Sequence, residues 1–106
     1  IVDKLRLEFP STKIFTIPTG WATKNLAQMQ LNETLLDEIT LFGPKETSIF
    51  TDRKGHQGQI VIETGTLIWL NKIYNVNLQT NNYSTGFKTD LHYVAQEIIE
   101  NHDLNY

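Results

Sequence analysis

The chain has 106 residues, of which 40% are hydrophobic, 20% charged and 10% aromatic, the size and composition of one folded domain or part of one, and not of a disordered segment. Nine Lys and Arg against twelve Asp and Glu give a net charge of -3 without a basic run, so nucleic acid is not an expected partner. The absence of cysteine excludes thiol chemistry and disulfides but leaves the compartment open. The longest apolar run, Leu67 to Leu70, is too short for a membrane span, and a soluble chain is expected.

Ile1, Leu5 and Phe9, with Val2 beside them, recur at helical spacing until Pro10 ends the pattern. This helix would begin at residue 1 without a cap or an initiator Met, which suggests a sequence cut from something longer, although removal of a leader would look the same. Lys13 to Ile17 is rich in β-branched and aromatic residues and stops at Pro18-Thr19-Gly20, the pattern of a buried parallel strand. In open α/β sheets the carboxyl edge of such a strand is where ligands bind.

Ala22, Leu26 and Met29 predict a short helix over Trp21 to Met29. Leu35, Leu36, Ile39 and Phe42 predict a second helix after Asn32, stopped by Gly43-Pro44. Ser48 to Thr51 reads as a short strand or an extended loop, and residues 52 to 58 must be loop. Residues 59 to 78 are ambiguous: either a hairpin turning at Thr64-Gly65, or a buried helix from about Gly58 to Tyr74 capped by a left-handed Asn75. Gly65 is tolerable in such a helix and often marks close packing there. Leu91, Val94, Ala95, Ile98 and Ile99 form the apolar stripe of a last helix, with Thr89 as its cap, Asp90 favouring its positive end, and a tail fraying after His102. The chain shows no internal domain boundary, so residues 1 to 106 form a single segment.

Of the three histidines, His92 and His102 sit on or beyond that last helix, where a surface histidine is the ordinary expectation. His56 differs: it follows Asp52 within one loop and lies between Gly55 and Gly58, just before an apolar element. A carboxylate that accepts the proton-bearing ring nitrogen fixes the tautomer and steadies the imidazolium formed when the other nitrogen takes a proton. The competing interpretation is a solvated polar turn with the histidine merely adjacent.

The order Lys13-Ile-Phe-Thr-Ile-Pro-Thr-Gly20, Leu41-Phe-Gly43, Phe50-Thr-Asp52, Gly55-His56-Gln-Gly58 and an apolar segment ending Ile73-Tyr-Asn-Val76 resembles the carboxyl-terminal third of SGNH (GDSL-type) hydrolases, over most of the chain. The resemblance implies the carboxyl-terminal part of a flavodoxin-like, three-layer α/β fold, turns residues 58 to 74 toward helix, and implies ester hydrolysis without cofactor or metal. His56 would be the general base and Asp52 the group that orients it, with three residues between them where the family commonly has two. Trp21, close after the strand end, is a candidate for the substrate pocket; such a tryptophan is more often core.

The family's serine nucleophile lies in a Gly-Asp-Ser block, and Ser11, Ser48 and Ser84 have no such block before them. The resemblance therefore implies that an amino-terminal part of the same enzyme is the partner that supplies nucleophile and oxyanion donors, and that this chain alone is inactive. The other class of reading is a self-contained α+β binding, inhibitor or immunity module, with a hairpin over residues 59 to 70 and an idle His56.

Overall fold

The computed structural model describes all 106 residues and is a mixed α/β structure. Its elements are four α-helices, α1 (Val2–Glu8), α2 (Gly20–Leu31), α3 (Gln59–Tyr74) and α4 (Leu91–Glu100), and a parallel pair of short strands, β1 (Thr40–Phe42) and β2 (Ser48–Phe50), packed on α2 and α3. Thr40 pairs with Ser48 and Phe42 with Phe50. Each strand is three residues long, so the short return through the 3₁₀ turn Lys45–Thr47 bridges them without the helix that longer parallel strands require.

The core is made by one face of α3 and the elements packed on it. Ile60, Val61, Thr64, Leu67 and Ile68 are buried along α3, a stripe with helical spacing. It meets Leu91, Val94, Ala95 and Ile98 of α4, Ala22 and Leu26 of α2, and Ile49 of β2. Thr64 satisfies its buried hydroxyl by donating to the Ile60 carbonyl at 2.9 Å. Residues 59 to 74 thus form one helix, and the hairpin alternative is absent. Its stop is the left-handed Asn75, φ 57°, after which the Val76 N–H reaches back to the Leu70 carbonyl at 3.3 Å.

Four expectations from the sequence are corrected here. Lys13 to Ile17 has no regular secondary structure and joins no sheet. Its main chain is held instead by Arg6, which donates to the Ile14 carbonyl at 2.8 and 3.1 Å, and by Thr16, whose N–H and hydroxyl both donate to the Tyr106 carbonyl. The β-branched pattern favours a strand, but a ladder needs a neighbouring strand, and β1 and β2 pair with each other elsewhere. The same contacts pin the tail predicted to fray, with the Tyr106 hydroxyl donating to Asp3 at 2.7 Å.

The second short helix after Asn32 does not form either. The α2 helix closes with Glu33 in a left-handed conformation, φ 57°, while Glu33 and Thr34 N–H groups return to the Gln30 and Met29 carbonyls at 3.2 and 3.0 Å. Downstream, the Asp37 carboxylate is captured by Lys88 and Thr89, and Thr40 to Phe42 is drawn into β1. Tertiary partners override a four-residue apolar rhythm in this stretch. Finally, the cap of α4 is Asp90, which accepts the Tyr93 N–H at 3.0 Å; Thr89 is occupied with Asp37 and the Leu36 N–H.

Candidate functional site

The loop from Thr51 to His56 leaves β2 and returns antiparallel to it. Phe50 bridges Gln57, the Thr51 N–H donates to the His56 carbonyl at 2.8 Å, and the Gly58 N–H donates to the Ile49 carbonyl at 2.7 Å. Local chemistry closes the turn: Asp52 Oδ1 accepts the Lys54 N–H at 2.9 Å and the His56 N–H at 3.3 Å, as a turn-forming aspartate does. Gly55 takes φ 94°, a conformation that costs a glycine nothing, and this is how the third residue between Asp52 and His56 is accommodated.

Gly58 then fixes where α3 begins. A Cβ built there would lie 1.7 Å from the Ser48 carbonyl oxygen, so only glycine permits the loop to pass this close to β2 before the helix starts. Gln57 adds a tie to the first turn of α2 by donating from Nε2 to Thr23 Oγ1 at 3.3 Å. No signal in the sequence singled out that tie, because Gln57 and Thr23 lie 34 residues apart.

The second carboxylate oxygen of Asp52 bonds His56 Nδ1 directly. An ionised carboxylate only accepts, so Nδ1 carries a proton, and in the neutral ring the lone pair lies on Nε2. The His56 side chain is 71% exposed and that of Asp52 39%, which leaves Nε2 open to an incoming hydroxyl. The His56 ring holds the Asp52 carboxyl below its ordinary range; desolvation opposes this, and the backbone N–H groups of His56 and Lys54 add to the lowering. What the arrangement can do is accept a proton at Nε2 while Asp52 steadies the imidazolium.

Trp21 is 51% exposed at the start of α2, with Lys24 Nζ 4.5 Å from its ring centroid. It lines a cavity of about 410 Å³ with Asn25, Asn101, His102 and Asp103, whose lining includes neither Asp52 nor His56. Ser48 is fully buried and donates to the Gly43 carbonyl at 3.1 Å. His92 and His102 bond Asn81 Oδ1 and Thr16 Oγ1, both at 2.9 Å. No three His, Asp or Glu side chains converge as metal ligands, and no helix is long and apolar enough to cross a membrane. In comparisons with known proteins, no family model, no curated protein and no solved structure matches the chain.

Proposed function

We propose that this chain is the part of an SGNH-type serine ester hydrolase that carries the Asp-His base, within a flavodoxin-like fold completed by an amino-terminal part of the same enzyme. The observation that supports this reading best is the Asp52 carboxylate on His56 Nδ1 with Nε2 exposed beside it. The Gly58 contact that sets α3 directly after the histidine agrees with it.

In the reaction, His56 Nε2 takes the proton of a serine hydroxyl supplied by the other part, and the serine oxygen attacks the ester carbonyl. The tetrahedral intermediate collapses to an acyl-serine as the imidazolium returns its proton to the leaving alcohol. Water, deprotonated by the same nitrogen, then releases the acid and regenerates the serine. The 106 residues alone provide base and orienting group, so they turn over no ester and take up no fluorophosphonate label.

The test is an aryl acetate assay on the enzyme with both parts present. His56→Ala removes turnover by several powers of ten with folding intact, because an unassisted serine is a poor nucleophile. Asp52→Asn costs less. Near-wild-type turnover in His56→Ala, or fluorophosphonate labelling of the 106-residue chain itself, would overturn the assignment.

A further inference from the structure

The loop that carries the Asp52–His56 pair also carries two cations between its members, Arg53 and Lys54. Both are exposed, and neither has an ion-pair partner, because the one ion-pair contact in the chain is that of Asp52 with His56. Asp52 is not free to neutralise them: Oδ1 takes the Lys54 and His56 N–H groups, and Oδ2 takes the His56 ring. In a chain of net charge -3, the surface beside the base is thus locally positive. We infer that Arg53 is a specificity-determining residue that holds a carboxylate carried by the ester itself, an inference that rests on the catalytic reading of Asp52 and His56.

Arg53 differs from a solvated surface cation in being held. Phe42 and Phe50 stand opposite each other in the β1–β2 ladder, with ring centroids 5.8 Å apart and the rings tilted by 33°, within the range in which aromatic pairs attract. Phe42 is half exposed, and the Arg53 guanidinium carbon lies 6.0 Å from its ring centroid, the reach of a cation–π contact. The aromatic pair orients the side chain from the strand side, and the Asp52 hydrogen bonds to Lys54 and His56 fix the main chain around it. Of the two loop cations only Arg53 lies over a ring, so Lys54 adds charge without direction.

A guanidinium ordered over an aromatic ring keeps its edge N–H groups for an acceptor, in the fork that matches the two coplanar oxygens of a carboxylate. Arg6, the only other arginine, also lies over a ring, that of Tyr106, but spends Nε and Nη2 on the Ile14 carbonyl. The Arg53 fork remains available. A single oriented fork suits a planar carboxylate better than a tetrahedral phosphate, whose third oxygen no fixed group of the loop would meet. Three residues span at most about 11 Å, so a carboxylate on Arg53 is within reach of an ester carbonyl placed at His56 Nε2. The substrate class is the half-ester of a small dicarboxylic acid.

The two arginines give two Nε–H resonances, which makes the 106-residue chain itself a test. Monomethyl adipate should shift the Arg53 signal saturably and leave that of Arg6 in place, and the neutral dimethyl ester should shift neither. Phe42→Leu, which removes the ring and keeps an apolar side chain, should weaken this binding at least threefold, with circular dichroism unchanged. In the completed enzyme, kcat/KM should favour the mono-4-nitrophenyl ester of adipic acid over 4-nitrophenyl hexanoate, its neutral match in length. Arg53→Gln should lower that preference at least tenfold, and Arg53→Lys should fall between. Equal responses to the charged and neutral methyl esters, or at Arg6 and Arg53, would reveal a merely solvated cation and overturn the inference. Equal losses on both nitrophenyl esters in Arg53→Gln would do the same, since they would mean that Arg53 pairs with an acidic residue of the amino-terminal part. Failure of the catalytic reading is separate: turnover is then independent of His56 while Arg53 still prefers the charged ester.

Discussion

Residues 1 to 19 and residues 20 to 100 both carry apolar residues at regular spacing, yet they hold together by different means. The second region buries a twelve-member apolar core centred on α3. The first buries only Pro18 and has no buried residue in α1; Arg6 ties α1 to Ile14 within the region, and Asp3 and Thr16 attach it to the carboxyl-terminal residues Tyr106 and His102. The radius of gyration, 15.2 Å, exceeds the roughly 13 Å of a compact domain this long, which fits an amino-terminal region laid against the body instead of built into it. A periodic pattern creates an amphipathic element, and only a facing surface turns that element into stability.

The largest expected effect breaks the contrast at its strongest point. Leu67→Ala, in a fully buried position, should cost about 2–5 kcal/mol in urea unfolding, whereas Leu7→Ala, 84% exposed on α1, should stay within about 0.5 kcal/mol. Equal losses at the two sites would mean that α1 is part of the core. Hydrogen exchange gives the same contrast without mutation: the amides of α3 exchange slowly, and those of Ile14, Phe15 and Ile17 exchange fast.

Next in size is Gly58→Ala. The added carbon collides with the Ser48 carbonyl, so the loop or β2 must move, at an expected cost of about 1–3 kcal/mol. The displacement carries the Asp52–His56 turn with it, and the His56 ring resonances should shift even in molecules that remain folded. An unchanged histidine spectrum would show that the turn is set by its own hydrogen bonds and not by β2.

Asp37 joins the second region to itself across 52 residues, accepting the Thr89 N–H at 2.9 Å and its hydroxyl at 2.7 Å, and the Lys88 N–H at 2.8 Å. Burial opposes its ionisation, but those donors outweigh it and hold the carboxyl below its ordinary range. A depressed folded pKa stabilises above the unfolded value near 4 and ceases to do so as pH falls through the folded value. Asp37→Asn should therefore cost about 1–2 kcal/mol at neutral pH, and thermal melts should show the difference shrinking as the pH is lowered below about 4.

The smallest effect has the opposite sign. Gly65→Ala places a methyl group in open space within α3 and should stabilise the chain by up to about 1 kcal/mol in the same unfolding assay. A loss of stability would mean that the outer side of α3 is covered by something the glycine admits.

Much of α4 and α2 was legible from an apolar stripe, Leu91, Val94, Ala95 and Ile98 along α4 and Ala22, Leu26 and Met29 along α2, whereas the residues of α3 fitted a hairpin as well as a helix capped by Asn75. The Asp52–His56 pairing was equally legible, since four residues of separation with Gly55 between them let one turn bring carboxylate and imidazole together. These features depend on neighbours within a few residues, where backbone geometry leaves few choices.

What the sequence by itself determined, then, is that the segments of α1, α2 and α4 are helical and that a polar turn gathers donors and acceptors between Asp52 and His56, while the choice of helix over hairpin for α3 was left to the tertiary structure. Only the tertiary structure decided that Thr40 to Phe42 pairs with Ser48 to Phe50 while Lys13 to Ile17, the more strand-like segment, lies against Tyr106. It also decided that Thr89 serves Asp37 and leaves the cap to Asp90, and that Trp21 lines a cavity whose lining does not include His56. The physical reason is common to all of these. A strand, a clamp or a pocket is completed by groups distant in the chain, and one segment's pattern does not specify which distant partner reaches it first.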